Sequence, residues 1–136
     1  MLNKVFVYGT LKAGMSNDRP IYKDNRKDVQ EGTVEGTLFD LGHFPGLSLA
    51  GNTVIQGEVH TYPKELMEEI VGRMDSLEGF SPDAPEDHNF YNRRIVDILL
   101  KNGEKAKAYL YEFNIKRTGR DKIPMISSGV WQPKKR

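Results

Sequence analysis

Apolar positions along this chain change period several times, and the changes mark the elements. Val5, Phe6, Val7 and Tyr8 form an uninterrupted apolar run, the pattern of a buried first strand, and Gly9 ends it. Residues 12–30 are polar and charged, which predicts a loop with a short helical turn beginning near Pro20. A strand is expected over 33–41, where Gly32 and Gly36 suggest a bulge or a tight barrel bend. Glycine-containing turns follow at 42–46 and at 51–52, then an alternating strand over 54–62. Lys101-Asn102-Gly103-Glu104 lies between strand-like runs at 94–100 and 105–113, and Asn-Gly so flanked predicts a hairpin. Tyr109, Tyr111 and Phe113 share one face of the second run, as core or barrel lining does.

One segment has helical period. Residues 64–77 are mostly good helix formers, with Pro63 suited to a first helical position and Gly79 to the left-handed position past the end. At ~100° per residue, Leu66, Met67, Ile70, Val71, Met74 and Leu77 occupy a single arc of ~140°. Glu65, Glu68, Glu69 and Asp75 fall outside it, whereas Glu78 continues the Met67-Val71-Met74 row. A carboxylate pressed among apolar neighbours at a helix C-terminus has a raised pKa, from desolvation and from the helix dipole. Glu78 is therefore either a general base or acid working near neutral pH, or a helix-end residue that swings into solvent.

Composition narrows the classes. The chain's 136 residues suit one domain, 1–136, with a real core. Twenty basic and 19 acidic residues give a formal charge of +1, which provides no global field for nucleic acid or an acidic membrane. The basic end, Lys134-Lys135-Arg136, is expected to be a solvated tail. There is no cysteine, so disulfides, thiol nucleophiles and thiolate metal sites are excluded. No apolar stretch is long enough for a signal peptide or a membrane span, and a cytoplasmic location is expected.

Most chemical motifs are missing. His43, His60 and His88 do not share a metal-ligand spacing, and no nucleophile elbow, phosphate loop or dinucleotide fingerprint occurs. What remains is the turn at Gly9, where glycine can take backbone angles closed to other residues; it is either an ordinary strand end or a concavity of backbone N–H groups able to hold an anion. With it go Glu78, and Tyr91 and Arg93 at the entry to a later strand.

These residues carry a resemblance. Val7-Tyr8-Gly9-Thr10-Leu11-Lys12, Asp75-Ser76-Leu77-Glu78-Gly79 and Tyr91-Asn92-Arg93, with the turn at 42–46 and Ser128-Gly129-Val130-Trp131, occur in the order seen in the γ-glutamylcyclotransferase-like (AIG2-like) family. The chain resembles that family, which includes the γ-glutamylamine cyclotransferases, along nearly its whole length. The resemblance implies an α+β fold: a small mixed β-barrel-like sheet with one main helix and the active site at one end. It implies Glu78 as the catalytic residue, Tyr8, Gly9, Thr10 and Leu11 as the segment holding the γ-glutamyl group, and Tyr91 as a lining residue. The implied reaction closes a γ-glutamyl amine or amino acid to 5-oxoproline and releases the amine. Its nucleophile is the substrate's own α-amine, so no cofactor and no metal are expected, and the partner is a small molecule.

Two expectations stay open. The same fold could serve a non-catalytic small-molecule-binding or regulatory domain, although a buried carboxylate favours the enzyme. Residues 80–90, longer here than in compact members, are expected to form a surface loop. That loop either borders the pocket mouth, where its acidic residues would favour cationic leaving amines, or is a solvated spacer.

Overall fold

The computed structural model describes residues 1–117 and 122–133; the basic end at 134–136 lies outside the described residues. Among the described residues five strands and two α-helices follow one another as β1 (Lys4–Val7), α1 (Pro20–Lys23), β2 (Asp28–Asp40), β3 (Pro45–Thr61), α2 (Met67–Glu78), β4 (Tyr91–Leu100) and β5 (Lys105–Phe113). The strands close into a barrel in the order β1-β3-β2-β4-β5. All neighbouring pairs are antiparallel except β1 and β5, which meet in parallel at Val5 and Tyr109. This is the mixed barrel-like sheet with one main helix that the resemblance implies.

The longest ladder is the β2–β3 hairpin, which runs from Asp28 opposite Thr61 to Asp40 opposite Pro45. It is longer than the glycines suggest. Register shifts between Gly36 and Thr37, so Gly36 faces Thr53 while Thr37 faces Ser48. The expected turn at 51–52 is therefore an irregularity inside β3, and Gly46 is a buried strand residue packed on the Phe113 ring. Beyond Leu100 the hairpin to β5 turns as its Asn-Gly pair predicts.

Residues 64–66 form a turn of 3-10 helix before α2, and Pro63 precedes that turn instead of occupying the first helical position. Gly79 ends α2 at φ 66°, the left-handed conformation that favours glycine, and the chain reverses there. Met67, Ile70, Val71 and Met74 are buried as the apolar arc requires. Leu77 is not: it is 46% exposed, because the end of α2 overhangs the barrel rim.

Alternation along the strands sorts the core into two layers. Val5, Val7, Tyr109, Tyr111 and Phe113 face α2, together with Tyr62 and Tyr91. Phe6, Leu38, Leu47, Ile55, Val59, Ile98 and Leu110 face the barrel interior, with Trp131 added from the C-terminal segment. The site forms where β1 and α2 both end at the same rim.

Candidate functional site

A cavity of about 470 Å³ opens at that rim. Its walls come from the end of β1 and the turn after it, the β2–β3 turn, the end of α2, the start of β4 and Tyr111. Tyr8, Gly9, Thr10, Leu11, Glu78 and Tyr91 all line it, so every candidate site residue is gathered in one place.

Glu78 enters the cavity from the last turn of α2. Among the described residues its carboxyl has no ion pair and no hydrogen bond to protein. Burial alone drives its pKa up from 4.5 to about 7. Its neighbours are phenols. Burial raises the pKa of Tyr8, and the charges of Tyr91 and Glu78 add to the rise. Tyr91 and Tyr111 are raised for the same principal reason. All three stay protonated at any pH at which Glu78 titrates.

These phenols are fastened to backbone. Tyr8 Oη donates to the Tyr111 carbonyl at 2.7 Å and accepts from the Leu47 N–H at 3.2 Å. Tyr91 Oη donates to the Pro45 carbonyl at 2.7 Å. They shape the walls and tie the β2–β3 turn to β4, with their hydroxyls already engaged.

The turn after β1 has free donors. The Lys12 N–H donates to the Gly9 carbonyl at 3.0 Å, which reverses the chain. The N–H groups of Gly9, Thr10 and Leu11 donate to no other backbone or side-chain acceptor among the described residues. Gly9 does not have a positive φ, so the expectation that it supplies unusual backbone angles is corrected. Space is the reason for glycine: a Cβ there would lie 2.6 Å from two atoms of the Pro45 ring.

Three features of the site were missed in sequence. Asp75, placed on the polar face of the helical wheel, accepts hydrogen bonds from Arg93 (2.5 Å) and from Tyr111 Oη (2.7 Å), clamping the end of α2 to the sheet. Arg93 lies in turn over the rings of Phe80 and Tyr109. His43, Phe44 and Pro45 were expected only as a turn, yet they form one wall of the cavity.

The third feature is a polar network under the β1 turn. Glu58 Oε1 accepts from the Ala13 N–H (2.9 Å) and bonds the fully buried His60 ring at 2.8 Å. Asp18 accepts from the Gly14 N–H (2.9 Å) and pairs with Arg26. Asn17 donates to Thr10 Oγ1 (2.7 Å), and the whole segment is held. Alternating burial on one strand hints at Glu58 and His60, but nothing local links them to Asp18 and Arg26.

The loop at 80–90 meets the cavity only through Phe90. Two of its three acidic side chains are spent elsewhere: Glu86 pairs with Arg94 and Asp87 with Lys116. Among the described residues no group of His, Asp and Glu side chains is arranged to hold a metal ion, and no helix is long and apolar enough to cross a membrane.

Comparison with known proteins shows the family. The model of the family described as "Gamma-glutamyl cyclotransferase, AIG2-like" matches residues 5–133. A Vibrio cholerae protein named "Putative gamma-glutamylcyclotransferase" is 36% identical over 131 residues, 96% of each chain. A Methanocaldococcus jannaschii protein with the same name is 32% identical over 109 residues, 79% of this chain and 81% of its own. Among solved structures, an AIG2-like protein from Mus musculus superposes with a TM-score of 0.67 at 18% identity, covering 96% of this chain and 88% of that one. At that identity the likeness speaks for the fold alone.

Proposed function

The chain belongs to the γ-glutamyl cyclotransferase, AIG2-like family, and we propose that it is itself a cyclotransferase that turns a γ-glutamyl amide into 5-oxoproline and a free amine. The observation carrying this is one cavity that holds a carboxyl group without a partner among the described residues, poised near neutral pKa, and a turn with three N–H groups unengaged by those residues.

The chemistry follows from those two parts. Ionised Glu78 takes a proton from the substrate's α-ammonium, and the freed amine attacks the substrate's own γ-carbonyl carbon. A nitrogen–carbon bond closes the five-membered ring, and charge moves onto the γ-oxygen, where N–H donors of the Gly9–Leu11 turn stabilise it. Glu78 returns the proton to the amide nitrogen, the γ-carbonyl re-forms as the old carbon–nitrogen bond breaks, and the ring nitrogen's second proton passes through the re-ionised Glu78 to the amine, which leaves as an ammonium. One carboxyl does all these proton transfers because its pKa lies close to working pH. Holding the glutamyl chain folded supplies the rest: well-oriented intramolecular attack is worth up to ~7–11 kcal/mol. Tyr8, Thr10, Leu11 and Tyr91 contribute by shaping the walls that enforce this fold of the substrate.

Release of 5-oxoproline from a panel of γ-glutamyl compounds tests the proposal. Glu78→Gln is expected to keep the fold and lower kcat by ~10²–10⁴ or more. In the native protein kcat/KM should rise with pH through about 7, where Glu78 ionises. A Gln variant with native turnover would show that proton transfer runs elsewhere. A protein that binds γ-glutamyl compounds but converts none would be the non-catalytic member.

A further inference from the structure

Resting on the cyclotransferase reading, we infer that the departing amine has an apolar body and no carboxylate of its own. The cavity has a buried end and an exposed rim. Tyr8, Tyr91 and Tyr111 are buried, whereas Phe44, Leu77 and Phe90 are 39%, 46% and 44% exposed. Those three side chains come from three separate segments, the β2–β3 turn, the end of α2 and the end of the 80–90 loop, and converge on one mouth. Exposed large apolar groups gathered at a cavity mark a surface that is covered in use. The glutamyl group must reach Glu78 and the N–H turn, so what lies along the rim is the amine portion.

Charge points the same way. Among the described residues no lysine or arginine lines this cavity, Glu78 is the only acid in it, and His43 is its one imidazole. A carboxylate on the departing group would be desolvated against Phe44, Leu77 and Phe90 with no lysine or arginine of the cavity beside it. A neighbouring groove, sharing Asn17, Ser76 and Leu77 with the cavity, contains Arg19 and Arg73. Arg73 is engaged by Glu69, which leaves Arg19 as the cation that a carboxylate extended into the groove could reach.

Matched substrates separate these outcomes. γ-Glutamyl-phenethylamide and γ-glutamyl-phenylalanine differ only by the carboxylate on the departing group, and γ-glutamyl-methylamide lacks the apolar body. With 5-oxoproline as readout, the phenethylamide is expected to exceed both others in kcat/KM by about tenfold or more, the scale on which pocket contacts discriminate. Leu77→Arg, at an exposed position that tolerates charge, should narrow or reverse the gap to γ-glutamyl-phenylalanine. Phe44→Ser should lower kcat/KM for the phenethylamide by a larger factor than for the methylamide. Equal or better turnover of γ-glutamyl-phenylalanine overturns the inference, and its loss in Arg19→Ala would assign the carboxylate to the groove. An ordering unmoved by both rim variants overturns it as well. Absence of 5-oxoproline from every compound would sink the cyclotransferase reading and this inference together.

Discussion

A helical repeat of ~3.6 residues carries the row Met67, Val71 and Met74 on to Glu78, and at Glu78 the helix has run past the sheet it covers. The carboxyl therefore faces a cavity walled by Tyr8, Tyr91 and Tyr111. Its raised pKa has a thermodynamic consequence. Between 4.5 and about 7 the folded protein holds a proton that the unfolded chain has released, so stability falls as pH rises through that window. At ~1.4 kcal/mol per pKa unit the full penalty above pH 7 is on the order of 3 kcal/mol. Glu78→Gln should thus gain stability over the native protein at pH 8 and gain little at pH 4, as urea midpoints at the two pH values would show. An equal difference at both would mean that the carboxyl is solvated. Gly9 makes a second case at this scale. The Pro45 ring that crowds it is fixed, since the Pro45 carbonyl accepts from Tyr91. Gly9→Val should displace the turn and cost about 10- to 100-fold in kcat/KM through geometry alone. Calorimetric titration with a γ-glutamyl analogue would register the weaker binding, and unchanged affinity in a folded variant would return this turn to an ordinary strand end.

Among the elements, the 80–90 loop reaches the cavity mouth at Phe90 alone. Its interior is bound to the sheet and not to the cavity. Asn89 exchanges hydrogen bonds with the Ser81 backbone and donates to Asn92. The Glu86 carbonyl accepts from Asn92 and Asn114. The loop thus acts as a brace that fixes where Phe90 and Tyr91 enter. Shortening it between Ser81 and Asn89 should reduce stability yet preserve the ranking of γ-glutamyl substrates. A changed ranking in the kcat/KM series would show that the interior of the loop takes part in selection. The β2–β3 hairpin departs for a different reason. Glycine marks turns in most sequences, and here Gly36, Gly46 and Gly51 allow close packing or a register shift inside continuous strands. Local composition cannot distinguish the two uses, because the deciding neighbours are distant in sequence.

For the molecule as a whole, the C-terminal segment adds a large ring to the interior layer of the barrel. Trp131, the only tryptophan, is 4% exposed in the interior layer, and its carbonyl accepts from Lys12 just beyond the β1 turn. Trp131→Ala should cost about 3–5 kcal/mol of stability, the range for deleting a large core ring, and far-UV dichroism during urea unfolding would measure it. A loss under 1 kcal/mol would show that the segment rests on a finished barrel without completing it.

Periodicity and turn chemistry by themselves determined the helix with its buried row, the left-handed Gly79, the Asn-Gly hairpin and the position of Glu78 on the core side. Each depends on contacts within a few residues, where backbone geometry leaves little choice. Only the tertiary structure decided that Leu77 is exposed, that Asp75 clamps α2 to Arg93 and Tyr111, and that Pro45 excludes a side chain at Gly9. Those outcomes depend on where the barrel rim cuts across segments far apart in the chain. The pKa of Glu78 belongs with them: a helical wheel gives a direction, but desolvation is set by every atom that surrounds the carboxyl once the barrel closes.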